Sequence, residues 1–224
     1  MTARTIAATG LAMAILAAPA WAQPTLEPLK PCYVSAGLEE TEREGVVLRG
    51  TGFTPQAVLD VYVDGVLVLS GQADVVGDYQ ATVKAPHHPA GEREFGVTVV
   101  ERHNPAHAVG RLARVTDLDV ALRPSEARSW SRVRYRGRGF TASSAPVFAH
   151  YVYRGKARKT VRLARSANGP CGTFSVRRRQ IPIRRPRVGM WTIQVDQQRR
   201  YSAAPGTNLV RIDVRLREEF IPPR

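Results

Sequence analysis

The chain has 224 residues, a formal net charge of +14 and a sequence pI of about 10.8. Hydrophobic residues make up 43% and charged residues 23% of the sequence, which predicts a folded protein and excludes a disordered one. After the N-terminal region no stretch reaches the roughly 18 apolar residues that a membrane span needs, which excludes a transmembrane helix in the mature chain.

Residues 1–22 have the organisation of a secretory signal peptide. Arg4 provides a positive start, an apolar run spans 5–18, and Ala20-Trp21-Ala22 forms a small-x-small cleavage site before Gln23. Removing these 22 residues from 224 leaves 202, enough for two domains of about 100 residues each. The sequence therefore predicts an exported protein, secreted or held in the cell envelope. The alternative is that the segment stays uncleaved as an anchor.

Two cysteines, Cys32 and Cys171, lie in different halves of the chain. Export permits a disulfide between them, which would join the two halves. A loop of roughly 140 residues closed in this way would contribute about 4–5 kcal/mol to stability in the chain-entropy model. Two alternatives stay open: each cysteine is a buried free thiol, or one pairs between molecules.

Strand-like runs recur about every 10 to 15 residues, with Gly, Pro and Asp between them. In the first half they fall at 46–49, 58–63, 66–69 and 79–83, and the alternation of Phe95, Val97 and Val99 predicts a further strand. Asp64-Gly65 predicts a hairpin turn between two of these runs.

The same order of motifs appears twice, which indicates an internal duplication. Val46 to Phe53 matches Val133 to Phe140 at an offset of 87 residues. The later matches are 62–65 with 152–155, 77–79 with 172–174, and 95–99 with 191–195. We therefore expect an all-β protein of two tandem immunoglobulin-like antiparallel β-sandwiches, a first copy at 23–116 and a second copy at 117–224.

The run VVLRGTGFTPQAVLDVYVDG resembles the strand–GxGF–strand opening of bacterial immunoglobulin-like domains, including the IPT/TIG type. The second-copy run, VRYRGRGFTASSAPVFAHYVYRG, is similar but carries a two-residue insertion and many arginines. Residues 170–201 resemble segments of small secreted actinobacterial proteins with no assigned activity. The resemblance implies a binding, adhesion or spacer module, and it assigns no functional residue.

Charge separates the two copies. Residues 23–115 contain 8 basic and 12 acidic residues, a net charge of −4, whereas residues 116–224 contain 24 and 7, a net charge of +17. Of the 33 basic residues, 29 are Arg, a bias that base composition also produces. A bias acting on the whole chain does not explain opposite signs in two copies of one fold, so the asymmetry points to a function.

Strand alternation predicts where the arginines lie. If Val133, Tyr135 and Val176 point inward, their neighbours point outward, and the two strands should be adjacent in one sheet. This predicts one basic surface, extended by a loop of further arginines. The predicted anion-binding residues are Arg132, Arg134, Arg136, Arg177, Arg179, Arg184, Arg185 and Arg187.

Clustered guanidinium groups favour an anionic polymer, because such a ligand relieves their repulsion and releases its own counterions. The expected partners are a phosphate-rich wall polymer, an acidic polysaccharide, lipid head groups or extracellular nucleic acid. Two alternatives stay open: a merely solvated basic surface, and a structural or adhesion protein that binds a protein partner through sandwich loops.

No complete catalytic motif appears, so we expect no enzymatic activity and no cofactor. His103 and His107 have i,i+4 spacing, but Asn104-Pro105 between them argues against a helix, and no further ligand completes a metal set. We therefore expect no metal site.

Overall fold

A computed structural model of the chain describes residues 23–125, 127–142, 144–204 and 208–217. The predicted signal peptide lies outside the described residues. The described part is built of strands with one short 3-10 turn at Glu40–Glu42, which confirms the expected all-β class. None of its helical segments is long or apolar enough to cross a membrane.

The first copy contains eight strands in its described residues. They are β1 (Thr25–Leu26), β2 (Cys32–Ser35), β3 (Gly45–Thr51), β4 (Val58–Val63), β5 (Val66–Gln72), β6 (Tyr79–Lys84), β7 (Glu92–Glu101) and β8 (Asn104–Asp117). One sheet has the order β1-β3-β6 and the other the order β2-β8-β7-β4-β5. Alternate residues of the strands enclose a core that includes Leu48, Leu59 and Val97, all fully buried.

One pairing in the first copy differs from the expected antiparallel arrangement. Strand β2 runs parallel to β8, with Cys32 opposite Arg114 and Ser35 opposite Asp117. The 3-10 turn and β3 separate β2 from the rest of its sheet in sequence, so β2 joins the edge without a hairpin. All other paired strands in the described residues are antiparallel.

The second copy contains seven strands in its described residues. They are β9 (Asp119–Arg123), β10 (Arg132–Arg138), β11 (Val147–Tyr153), β12 (Lys156–Ala164), β13 (Phe174–Arg179), β14 (Gly189–Asp196) and β15 (Val210–Leu216). Its sheets have the orders β13-β10-β9 and β12-β11-β14-β15. Tyr135, Tyr151 and Ile193 are fully buried between them, so each copy has its own hydrophobic core.

The GxGF motif makes the same turn in both copies. Gly52 and Gly139 have φ of 80° and 86°, the left-handed region that glycine adopts at little cost. Phe53 and Phe140 follow them into the core, 3% and 2% exposed. The motif therefore shapes a turn and supplies a core residue in each copy.

The register corrects one match of the duplication. Val63 pairs with Val97, whereas its counterpart Tyr153 pairs with Trp191. Trp191 thus takes the position of Val97 rather than that of Phe95, so the sequence match of these last strands is displaced by two residues. Both segments alternate with the same period of two, which is why the sequence pattern did not distinguish the two alignments.

The two copies abut. Strand β8 ends at Asp117 and β9 begins at Asp119. Cys32 and Cys171 form a disulfide with a Cα–Cα distance of 5.1 Å, and both are buried. The predicted intramolecular bond is confirmed.

Noncovalent contacts reinforce this junction. Asp117 ends β8 and therefore belongs to the first copy rather than to the second, one residue beyond the predicted boundary. Arg138 of the second copy pairs with it, with Nη2 2.7 Å from Oδ2, and the Nζ of Lys30 donates to Thr141 Oγ1 at 3.0 Å. The second copy is therefore held to the first by a covalent bond, an ion pair and a hydrogen bond.

Candidate anion-binding face

Five of the predicted arginines lie on one face of the sheet β13-β10-β9. Strands β10 and β13 pair so that Arg132 is opposite Arg179 and Arg134 is opposite Arg177. The intervening Val133 and Tyr135 are fully buried, so the arginines point away from the core. Like charges placed directly opposite each other destabilise a sheet, which makes this arrangement costly unless an anion neutralises it.

The structure adds an arginine that the sequence reasoning missed. Arg123 of β9 lies opposite Arg134, which in turn lies opposite Arg177, so three arginines form one row across the sheet. The available signal was the alternation of Val120 and Leu122, both buried, which places Arg123 on the outer face. Together these side chains form what we call the arginine face: Arg123, Arg132, Arg134, Arg136, Arg177 and Arg179.

No member of the arginine face forms an ion pair with any residue that the structure describes. The described carboxylates of the second copy have other partners. Asp119 is 3.4 Å from Arg138, Asp196 contacts His150 at 3.1 Å, and Asp213 accepts a hydrogen bond from Thr192. The positive charge of the face therefore has no internal counterion in the described part of the chain.

In the first copy, by contrast, acidic side chains pair with nearby arginines. Asp60 pairs with Arg102 and Asp64 with Arg93, both at 2.7 Å. The pair with Arg102 and a hydrogen bond from Ser70 lower the pKa of Asp60 to about 2. Charges in the first copy are thus neutralised locally, whereas the arginine face is not.

The three predicted loop arginines lie apart from the sheet face. Arg184 and Arg185 line a groove of about 1040 Å³ at the side of the second copy. Arg187 is exposed, and its carbonyl accepts a hydrogen bond from Trp191 Nε1 at 2.8 Å. Arg179 lines this groove and also a smaller one of about 190 Å³ beside Arg177, so it lies where the sheet face meets the loop.

Aromatic side chains contribute little to the arginine face. Tyr135 and Tyr151 are fully buried, with their hydroxyl oxygens 3.1 Å apart, and burial raises the pKa of both. Trp191 is buried in the core. Trp130 is 52% exposed, and no other aromatic side chain in the described part of the second copy is exposed.

Histidines provide no metal centre among the described residues, where no group of three or more potential ligands comes together. His107 of β8 contacts Glu101 of β7, with Nδ1 3.2 Å from Oε1. His150 is fully buried, with Thr160 at 2.9 Å from Nδ1 and Asp196 at 3.1 Å from Nε2. Burial raises the pKa of Asp196, but hydrogen bonds from His150, Gln194 and Gln198 outweigh it and hold this pKa below its ordinary value.

The sequence matches no protein-family model and no curated protein. Solved structures give low-identity likenesses. A transglutaminase from red sea bream is 12% identical over 88% of this chain and 31% of its own, with a TM-score of 0.30. The central fibronectin-III array of RIM-binding protein is 13% identical over 87% of this chain and 71% of its own, with a TM-score of 0.25.

A 1.5-MDa bacterial ice-binding adhesin is 15% identical over 84% of this chain and 61% of the matched chain, with a TM-score of 0.29. This chain thus spans less than two thirds of both the transglutaminase and the adhesin chain. The paired sheets of each copy give the expected tandem β-sandwiches, while the narrower IPT/TIG and actinobacterial resemblances stay predictions.

Proposed function

We propose that this protein is an exported, non-enzymatic binding module that engages an anionic polymer through the arginine face of its second copy. One observation carries the proposal: Arg123, Arg134 and Arg177 form a row across three strands and have no described carboxylate partner. Outward side chains two residues apart on a strand are about 7 Å apart, and adjacent strands are about 5 Å apart. A flexible chain of regularly repeated anionic groups fits such a surface.

Binding by such a face draws on two sources of free energy. The ligand relieves the repulsion between opposed guanidinium groups, and its own condensed counterions return to solution. Arginine also forms bidentate hydrogen bonds with phosphate and carboxylate, which lysine does not. We expect affinity to fall steeply as salt rises, with modest selectivity among wall polymers, acidic polysaccharides and nucleic acid.

The test measures binding of residues 23–224 to wall teichoic acid, heparin and DNA across a salt series. The variant Arg134→Val with Arg177→Thr gives the second copy the residues that the first copy carries at the same register positions, Val47 and Thr82. Because about two phosphate contacts are lost, the negative slope of log affinity against log salt on DNA should become shallower by about 2.

The matched control is Lys156→Thr with Arg158→Thr. Both residues are exposed on β12 in the other sheet, so the control removes the same net charge from a different place. If it weakens binding as much as the variant on the arginine face, the interaction follows net charge alone and the proposal fails. Absence of binding to all three polymers at physiological salt would leave the arginines as a solvated surface.

A second candidate function is adhesion to a protein partner, favoured by strand β5. This strand is at the edge of its sheet, and Val66, Leu67 and Val68 are 64%, 50% and 48% exposed. An uncharged, apolar edge offers free backbone groups to an added strand. Under this reading Leu67→Lys would abolish a saturable, salt-tolerant interaction and leave polymer binding unchanged.

A further inference from the structure

A groove of about 1040 Å³ lies along one side of the second copy, where the edge strands of its two sheets come together. Leu122 of β9 and Ile212 of β15 both line it, and each strand ends its own sheet. The volume is at the upper end of the range of about 300–1,000 Å³ typical of small-molecule sites. The groove is separate from the row of Arg123, Arg134 and Arg177.

The floor of this groove is aliphatic. Leu122 is buried, Ile183, Ile212 and Leu216 are half-buried, and Val188 is 48% exposed. An exposed aliphatic side chain beside three half-buried ones is an unfilled apolar surface, and its removal from water would favour binding of a hydrocarbon group.

The rim of the groove is basic. Six exposed arginines line it, from both sides of the groove: Arg128, Arg179, Arg184, Arg185, Arg215 and Arg217. The described lining includes one carboxylate, Asp213, whose Oδ1 accepts a hydrogen bond from Thr192 Oγ1 at 2.7 Å. A ligand with an anionic end would therefore meet cations, while its apolar part meets the floor.

Hydrogen bonds fix both walls. Trp191 Nε1 donates to the Arg187 carbonyl at 2.8 Å, and the Tyr153 hydroxyl donates to the Val188 carbonyl at 3.0 Å. On the other side Ile181 N donates to the Ser129 carbonyl at 2.9 Å. The groove is thus held open by buried aromatic side chains and backbone contacts, so a ligand need not order the loops.

One buried polar atom of the groove lacks a partner. Gln180 is 1% exposed and lines the groove, and its Oε1 has no hydrogen-bond partner. Among the described residues of the second copy no other side-chain oxygen or nitrogen is both buried and unpaired. An unsatisfied buried acceptor costs free energy, so this wall of the groove is incompletely satisfied by the described residues.

We infer that this groove binds an anionic phospholipid-type ligand. Its hydrocarbon chain lies on the aliphatic floor and its phosphate contacts the arginine rim. The aliphatic floor favours a hydrocarbon chain over a nucleobase or a sugar ring, because these stack on aromatic faces and Trp130 is the single aromatic ring among the described lining residues. The site goes beyond polymer binding, and among its described lining residues it shares only Arg179 with the arginine face.

Titration calorimetry of residues 23–224 with monododecyl phosphate, below its micelle concentration, tests the inference. Each buried methylene strengthens binding about fourfold. Monododecyl phosphate should therefore bind about tenfold or more tightly than inorganic phosphate. It should also bind about tenfold more tightly than dodecyl maltoside, which has a chain but no charge. Val188→Glu places a carboxylate on the floor and should weaken monododecyl phosphate binding about tenfold.

Two further variants keep the result interpretable. Val76→Glu makes the same substitution at an exposed position of the first copy, and binding should be unchanged. Arg134→Val with Arg177→Thr should also leave monododecyl phosphate binding unchanged, so the groove is tested independently of the arginine face. Absence of binding, equal binding of inorganic phosphate or of dodecyl maltoside, or an unaffected Val188→Glu variant would overturn the inference.

Discussion

The equivalent sheet face carries different side chains in the two copies. In the first copy β3 and β6 pair Gly45 with Lys84 and Val47 with Thr82. In the second copy the same register positions pair Arg132 with Arg179 and Arg134 with Arg177. The backbone is therefore a common scaffold, and the outward residues alone change the face from nearly neutral to strongly basic.

A second position shows the same divergence. Asp60 of β4 is bonded to Ser70 at 2.6 Å and to Arg102, while its counterpart His150 of β11 is bonded to Thr160 at 2.9 Å and to Asp196. Each strand pair keeps a hydroxyl opposite a titratable group, but the roles of acid and base are exchanged. Both side chains are buried on the sheet face opposite the core, so each exchange had to supply its own hydrogen-bond partners.

The disulfide is expected to have the largest effect on stability. Replacing both Cys32 and Cys171 with Ser should lower the free energy of unfolding by about 4–5 kcal/mol, because the bond closes a loop with a sequence separation of 139 residues. Urea unfolding followed by circular dichroism measures this change. A decrease below about 1 kcal/mol would show that contacts such as Lys30–Thr141 suffice to hold the copies together.

Equivalent glycines test whether the two copies are equally constrained. Gly77 and Gly172 have φ of 86° and 62°, and a Cβ at either would collide with the carbonyl oxygen of Phe53 or Phe140. Gly77→Ala and Gly172→Ala should each destabilise the protein by roughly 1–3 kcal/mol. Thermal unfolding of the two variants compares them directly, and a loss in one copy only would argue against an equivalent turn.

The arginine face should itself reduce stability. Arg134→Val removes a charge that lies between Arg123 and Arg177, so at low salt the variant should be more stable by about 0.5–1 kcal/mol. Added salt screens the repulsion and should reduce this gain. The reverse change, Val47→Arg in the first copy, is the matched control, because its neighbour Thr82 carries no charge. If Val47→Arg lowers the free energy of unfolding by as much as Arg134→Val raises it, repulsion between neighbouring arginines is not the cause.

Lowering the pH should have the smallest effect on stability. The folded-state pKa of Asp60 is about 2, below its ordinary value of 3.8, so its stabilising contribution is complete above pH 3.8 and is lost as pH falls through 2. The pKa of Asp196 is also lowered, which gives a loss in the same direction. The melting temperatures of Asp60→Asn and of the unsubstituted protein should converge between pH 4 and pH 2. A constant difference over this range would contradict the assignment.

Much of the fold was accessible from the sequence because sandwich strands alternate with a period of two. Val133 and Tyr135 marked the inner face of β10 and so placed Arg132, Arg134 and Arg136 outside. The period does not fix absolute register, which explains the displaced match of Trp191. It also carries no information on which edges approach each other, so the groove between β9 and β15 and the unpaired Gln180 Oε1 required three-dimensional structure.

The bond between Cys32 and Cys171 also determines how the molecule would carry mechanical load. Strands β3 to β12 all lie between the two cysteines, so tension applied at the two ends would pass through the sulfur atoms and bypass those strands. The bypassed segment spans 139 residues, roughly 480 Å of backbone when fully extended. With the disulfide intact this segment could not extend under tension, and reduction of the disulfide would allow it to extend.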